Sequence, residues 1–260
     1  MTEVRIAGHK VRIYTDIDEM PMVRFHKYNR MLLVDAGVGS DISDFDAHIE
    51  RVVRYIRGGR NEDAAKELEN LRQNVYMILN GQSPKDLSFA CLVASVDGKA
   101  TDDLSDDGLR RVVDMLSDGA RGEASDKRSE AKKKIDAQLT AYFPSVFDDV
   151  EVREYYDLMK RHTVAILQNI IEGETKERNE AIERMTDRMV LYMKPRTFTG
   201  TGSIEIEHDK SFESLCLTIQ RETGADPKRM TVLEFYNAYE YVRRMSKERA
   251  RKGKRSPLGA

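Results

Sequence analysis

DPKRMTVLEFYNAYEYVRRMSKERARKGKR, residues 226–255, reads as a helix marked by its cap and prolonged by its charge. Thr231 and Glu234 stand at capping-box spacing, where each side chain can satisfy the other's free backbone N–H. Val232, Phe235, Tyr239 and Val242 then recur at helical intervals and form one apolar, aromatic stripe. From Arg243 to Arg255 the chain carries eight Lys/Arg against one Glu, with no apolar period beyond Met245. A stripe of this kind either packs on its own domain or docks on a partner. Phe235, Tyr236, Tyr239 and Tyr241 cover more of the helix circumference than a single buried face requires, so part of it is expected to meet a partner.

The same pattern of capped, amphipathic, highly charged helices extends outward through the chain. Charged residues make up 34% of the 260 and aromatic residues 7%, with no Trp, a mix that favours helices with solvated faces over a sandwich or barrel. The net charge of −2 conceals an acidic body and a basic tail, an asymmetry suited to a polyanion or to an acidic neighbour. Cys91 and Cys216 both lie in apolar helical contexts, SFACLVASV and FESLCLTIQ, and are expected to be buried thiols rather than a disulfide framework. No apolar run approaches a membrane span and no signal region opens the chain, so membrane insertion and export are not expected.

The fold expected is mostly α: a multi-helix bundle with an N-terminal β-hairpin and a short strand or loop near 203–207. VRIAGHKVRIYT alternates and turns at Gly8, as a hairpin or as a strand added to a partner's sheet. Helices are expected from Pro21 to Gly37, after a Ser43/Asp46 cap to Gly58-Gly59, and through residues 61–81 on a stripe of Ala64, Leu68, Leu71, Val75 and Ile78. DLSFACLVASV, residues 86–96, is the most apolar stretch and reads as a central core helix. LRRVVDMLSDG follows an acidic loop. Residues 120–134 lack large apolar residues and read as an exposed helix or a linker. Two helices, one spanning roughly 149–171 and one with Ile182, Met185, Met189 and Tyr192, are expected to form an antiparallel hairpin about Gly173. SIEIE alternates like a strand between Gly202 and the two last helices, at about 210–223 and 231–248. The linear division is 1–119, 120–134, 135–242 and a basic tail at 243–260.

Several chemistries can be weighed from spacing. Asp103, Ser105, Asp107 and Asp114 match positions one, three, five and twelve of a calcium loop, but Arg110 stands at position eight and position twelve lacks the longer Glu. The competing reading is that Ser105 caps a helix whose positive end Asp106 and Asp107 favour. His9, His26, His48, His162 and His208 show no metal-ligand spacing, so a zinc site would need ligands drawn together from distant segments. Nucleophile elbows, phosphate loops and dinucleotide fingerprints are absent, and no cofactor is implied. The cations Arg243, Arg244, Lys247, Arg249, Arg251, Lys252, Lys254 and Arg255 form a candidate polyanion-binding tail. If about six met phosphates, log affinity would fall with log salt at a slope of about −5.

The C-terminal TVLEFYNAYEYVRRM resembles the closing helices of bacteriophage tail-assembly and head–tail proteins, which set a capped aromatic helix after a small helical domain. The likeness covers about thirty residues. It implies a morphogenesis role, as an assembly chaperone or a virion component, with other phage structural or assembly proteins as partners and a home in the virion or host cytoplasm. Three functions follow as expectations: a non-enzymatic assembly or structural protein that oligomerises through Phe235, Tyr236, Tyr239 and Val242; a nucleic-acid-binding protein acting through its tail; and a metal-dependent enzyme with a composite site.

Overall fold

The computed structural model describes residues 1–116, 121–147, 150–192 and 194–254. The chain is mostly helical, with eleven α-helices and one four-stranded antiparallel sheet among the described residues. It divides into two compact units. Unit 1 takes Met1–Leu33, Pro84–Tyr142 and the chain from Glu205 on, and unit 2 takes Val34–Ser83 and Phe143–Ile204. The division is therefore not the linear one read from the sequence. Residues 120–134 are no boundary: from Arg121 they belong to α6 (Arg121–Tyr142), which buries Ala131, Ile135 and Leu139 in unit 1.

Unit 1 begins with the expected hairpin, β1 (Thr2–Ile6) and β2 (His9–Ile13), in the register Thr2↔Ile13 and Ile6↔His9. Ala7 and Gly8 both take positive φ, the backbone of a two-residue turn whose twist suits antiparallel strands. The free side of β2 is filled by β3 (Val93–Val96), with Val11 opposite Val96, and β3 turns at Asp97-Gly98 into β4 (Lys99–Ala100). All four strands of the sheet come from unit 1.

This pairing corrects the reading of residues 86–96 as one core helix. α4 (Pro84–Leu92) stops at Leu92 and the chain becomes a strand. Arg24 on α1 (Met22–Val38), a guanidinium buried in unit 1, braces the point of change. It donates to the carbonyls of Cys91 (3.2 Å), Val93 (2.7 Å) and Thr101 (2.6 Å). Carbonyls that a continuing helix would have bonded internally are taken by this side chain instead.

After α5 (Asp106–Leu116) and α6, unit 1 closes with α10 (Ile204–Thr223) and α11 (Val232–Lys254). The expected strand near 203–207 is the first turn of α10. Glu205 and Glu207 favour the positive end of that helix, and Ile206 is left exposed rather than paired in a sheet. Thr231 and Glu234 form the expected capping box, with bonds of 2.8 and 3.3 Å. A short antiparallel bridge seats α11 beside the start of α1: Met22 N donates to Met230 O and Val232 N to Met20 O, both at 2.9 Å.

Unit 2 is built from α2 (Ile42–Arg57), α3 (Asn61–Leu79), the short α7 (Pro144–Phe147), α8 (Val150–Glu172) and α9 (Lys176–Tyr192). The cap of α2 is Asp41 with Asp44, two residues before the expected Ser43/Asp46 pair. Asp41 accepts from the backbone N–H of Ser43 and Asp44. α8 and α9 form the expected antiparallel hairpin, cross-linked by Tyr192 to Glu154 (3.2 Å), His162 to Thr186 (2.9 Å) and Asn169 to Asn179 (2.6 Å).

Candidate functional site

The residues singled out on α11 are placed unevenly. Phe235 is 1% exposed and Val242 is also buried, both within unit 1. Phe235 packs on Phe212 and Tyr236, and Tyr236 meets Phe25 edge-on at 6.5 Å. Burial pushes the Tyr236 phenol up to about 12. Tyr239 is half-buried. The stripe is thus consumed mainly by its own core, because the bridge to α1 turns it inward. Phe235 and Val242 are unavailable to a partner in this arrangement.

The basic extension continues α11 as helix to Lys254. Arg244, Lys247 and Arg251 are exposed and spaced three and four residues apart, so they share one face. Arg244 lies 5.8 Å from the ring centre of Tyr241, and Arg249 pairs with Glu222 at 2.9 Å. Arg243 is half-buried, and Lys252 and Lys254 lie on the helical backbone. Arg255 lies outside the described residues.

The residues of the calcium reading take up the competing helix-cap arrangement. Asp103 accepts from the backbone N–H of Ser105 (3.0 Å) and pairs with Arg111 (2.5 Å). These bonds hold its carboxyl below the usual carboxylate range. Ser105 accepts from Gly108 N at 3.1 Å and caps α5, Asp107 leans on Arg110 at 3.5 Å, and Asp114 sits about two turns further along α5. Asp103, Ser105 and Asp107 therefore serve a helix cap and its arginine partners. Cys91 and Cys216 are buried as expected, and burial raises their thiols to about 12 and about 11.

Two arrangements were not legible in the sequence. The first lies in unit 1, where α1 and α10 bring His26 and His208 together. The rings stack at 4.4 Å, and His26 stacks on Phe212 at 4.0 Å. His26 Nε2 lies 2.9 Å from Asp209 Oδ1. Arg30 reaches Asp209 Oδ2 at 3.1 Å and Glu205 at 2.8 Å. Burial pushes both imidazoles below the ordinary histidine range, more than Asp209 restores, and each ring's neighbours add to this: Arg30 for His26, His26 for His208. Among the described residues, His26, His208 and Asp209 are the group whose ligand atoms lie close enough together to hold a metal ion.

The second arrangement is in unit 2, where α3 is turned against its sequence pattern. The expected stripe was Ala64, Leu68, Leu71, Val75 and Ile78. Of these Ala64 is buried and Leu71 and Val75 are half-buried, while α3 otherwise buries Glu67, Asn70 and Asn74 and leaves Leu68, Tyr76, Ile78 and Leu79 exposed. The buried polar residues answer a polar α2: Glu67 bonds His48 (2.7 Å) and Arg51 (2.5 Å), and Asn70 donates to Arg196 O (3.0 Å). Asn74 is 0% exposed and neither its amide nitrogen nor its oxygen has a partner. α2 and α8 carry outer apolar rows as well: Ile42, Ile49, Val53 and Ile56 on one, Val164, Leu167, Ile170 and Ile171 on the other. Leu79 is 79% exposed and Ile171 80%. Among the described residues, unit 2 leaves more large apolar side chains in water than it buries. No described helix is long and apolar enough to cross a membrane.

Comparison with known proteins leaves the reading to this geometry: no family model matches the chain, and neither a curated protein nor a solved structure matches it.

Proposed function

We propose that this chain is a non-enzymatic assembly or structural protein, of the bacteriophage morphogenesis class, that works by docking the outer helix faces of unit 2 on other subunits. The observation that carries this reading is the outward apolar rows of α2, α3 and α8 around a polar, under-satisfied interior. Isolated exposed apolar residues are ordinary, but rows at helical spacing on three helices of one unit mark a surface that another macromolecule covers. Each such side chain buried at an interface contributes about 1.5–3 kcal/mol in transfer free energy, so a few rows suffice for association once its entropy cost is met. The resemblance of the C-terminal stretch to phage tail-assembly and head–tail proteins supplies the partner class: copies of this chain or neighbouring morphogenesis proteins, in the virion or the host cytoplasm. The docking residues differ from those first expected, since Phe235 and Val242 are spent on the core of unit 1.

The test is sedimentation of the full chain, alone and with the products of its neighbouring genes, beside a Leu167→Glu/Ile171→Glu variant. The reading expects an oligomer or a defined complex that the double variant loses while keeping the wild-type melting temperature. A chain that stays monomeric at high concentration and complexes with none of its neighbours overturns it.

A second reading, nucleic-acid binding, is favoured by one specific feature. Arg244, Lys247 and Arg251 form a row on the exposed, helical end of α11. A cationic helix face tracks phosphates without reading bases, because it carries no aromatic platform beyond Tyr241.

A further inference from the structure

Unit 1 contains one cluster that a docking role does not use. His26 comes from the second turn of α1, and His208 and Asp209 from the second turn of α10. Their ligand atoms lie within 4.8 Å of one another. From this juxtaposition we infer that His26, His208 and Asp209 bind a first-row divalent transition metal, with zinc the ion that suits the donors best.

The donor set argues for that class. Two imidazoles and one carboxylate are borderline nitrogen and oxygen ligands, the set that zinc, cobalt and nickel prefer. Calcium and magnesium call for several oxygens, which this cluster lacks. Spacing is close to what coordination needs. Ligand bonds of about 2.0–2.1 Å place neighbouring donors of a tetrahedral ion roughly 3.3 Å apart. His26 Nε2 and Asp209 Oδ1 are 2.9 Å apart, and His208 Nδ1 and Asp209 Oδ1 are 4.0 Å apart. The two imidazole planes are stacked 12° apart, so ligation turns the His208 ring out of the stack until its plane contains the ion.

Two further observations point the same way. His208 Nδ1 is cut off from solvent and has no hydrogen-bond partner, since 4.0 Å is too long for one. A metal ion would satisfy it. Arg30 holds Oδ2 of Asp209 and leaves Oδ1 turned to the histidines, the orienting role that an outer hydrogen bond plays around a metal ligand. Glu205 on the other side of Arg30 offsets the cation's repulsion of the ion. Three protein ligands leave a position for water, and the ion would cross-link α1 to α10.

The experiment uses the full chain with any affinity tag removed. Cobalt(II), a spectroscopic stand-in for zinc, is titrated while ligand-field absorption is followed, and thermal unfolding is measured with and without zinc. One equivalent should bind with the intense bands of a tetrahedral site, zinc should displace it, and zinc should raise the melting temperature. His208→Gln and Asp209→Asn should each weaken binding by about tenfold or more, whereas His162→Gln, on unit 2, should leave it unchanged. Absence of the bands and of the zinc-dependent rise in the wild-type chain overturns the inference. So does binding that survives in both His208→Gln and Asp209→Asn. Should either variant misfold, the wild-type titration decides alone.

Discussion

Nδ1 of His48 lies 2.7 Å from Oε1 of Glu67, with both side chains closed off from water between α2 and α3. Arg51 shares the same carboxylate oxygen at 2.5 Å, and His48 Nε2 meets Val38 O at 2.9 Å. Burial alone would raise the Glu67 carboxyl, but His48 and Arg51 outweigh it and hold it below the usual range. Removing the carboxylate leaves both partners facing a buried void. Glu67→Ala should therefore destabilise unit 2 by about 3–5 kcal/mol, read by urea denaturation at neutral pH. A depressed folded-state carboxyl contributes stability above its unfolded value and loses it as the pH falls through and below the ordinary carboxylate range. That acid-side loss should flatten in Glu67→Gln.

Arg24 holds the point where helix becomes strand. Arg24→Met keeps an unbranched apolar stem, shorter than that of arginine, and removes the donors to Cys91, Val93 and Thr101. Leaving several buried acceptors short costs about 3 kcal/mol or more in total. A lowered melting temperature with early loss of amide protection in residues 93–100, by hydrogen exchange, is the expected result.

Asn74 offers the opposite sign. Its amide is buried with neither end bonded. Asn74→Leu replaces it with an apolar group of similar volume and should raise stability by about 1–2 kcal/mol. The gain should appear as a higher denaturation midpoint with an unchanged slope.

His26 and His208 predict how unit 1 responds to acid. Both are held below the ordinary histidine range, so the unfolded chain takes up protons before the folded one does. Stability should fall as the pH drops through and below that ordinary range, with the sign set by greater proton binding in the unfolded state. The groups facing the pair are Asp209, Arg30 and Glu213. Metal-free His208→Gln should show a shallower slope of melting temperature against pH across that window.

The helical end of α11 predicts modest, salt-sensitive phosphate binding. If Arg244, Lys247 and Arg251 each meet one phosphate, log affinity for duplex DNA should fall with log salt at a slope of about −3. Truncation after Ser246 should abolish most of that binding in a fluorescence titration, and sequence should matter little.

Much of the secondary structure was open to reading because its signals are local. Gly8 marks a turn by its backbone freedom, Thr231 and Glu234 mark a helix start by reciprocal bonds, and Ser105 caps α5 from three residues away. Misreadings came where local signals were ambiguous. SIEIE alternates like a strand but opens a helix. LSFACLVASV is apolar throughout, so no period divides α4 from β3. The Asp97-Gly98 pair after Val96 is a two-residue hairpin signal that would have located that strand.

Sequence alone determined that this is a mostly helical chain with capped, amphipathic elements, a basic C-terminal extension and buried thiols, since each of these follows from neighbours within a few residues. Tertiary structure alone decided which face of each helix turns inward. It buried Phe235 and Val242, turned Leu68 and Leu79 outward, and brought His26 to His208 across some 180 residues of chain. Periodicity states that a helix has an apolar side, but only the partners packed against it determine whether that side is the one that leaves water.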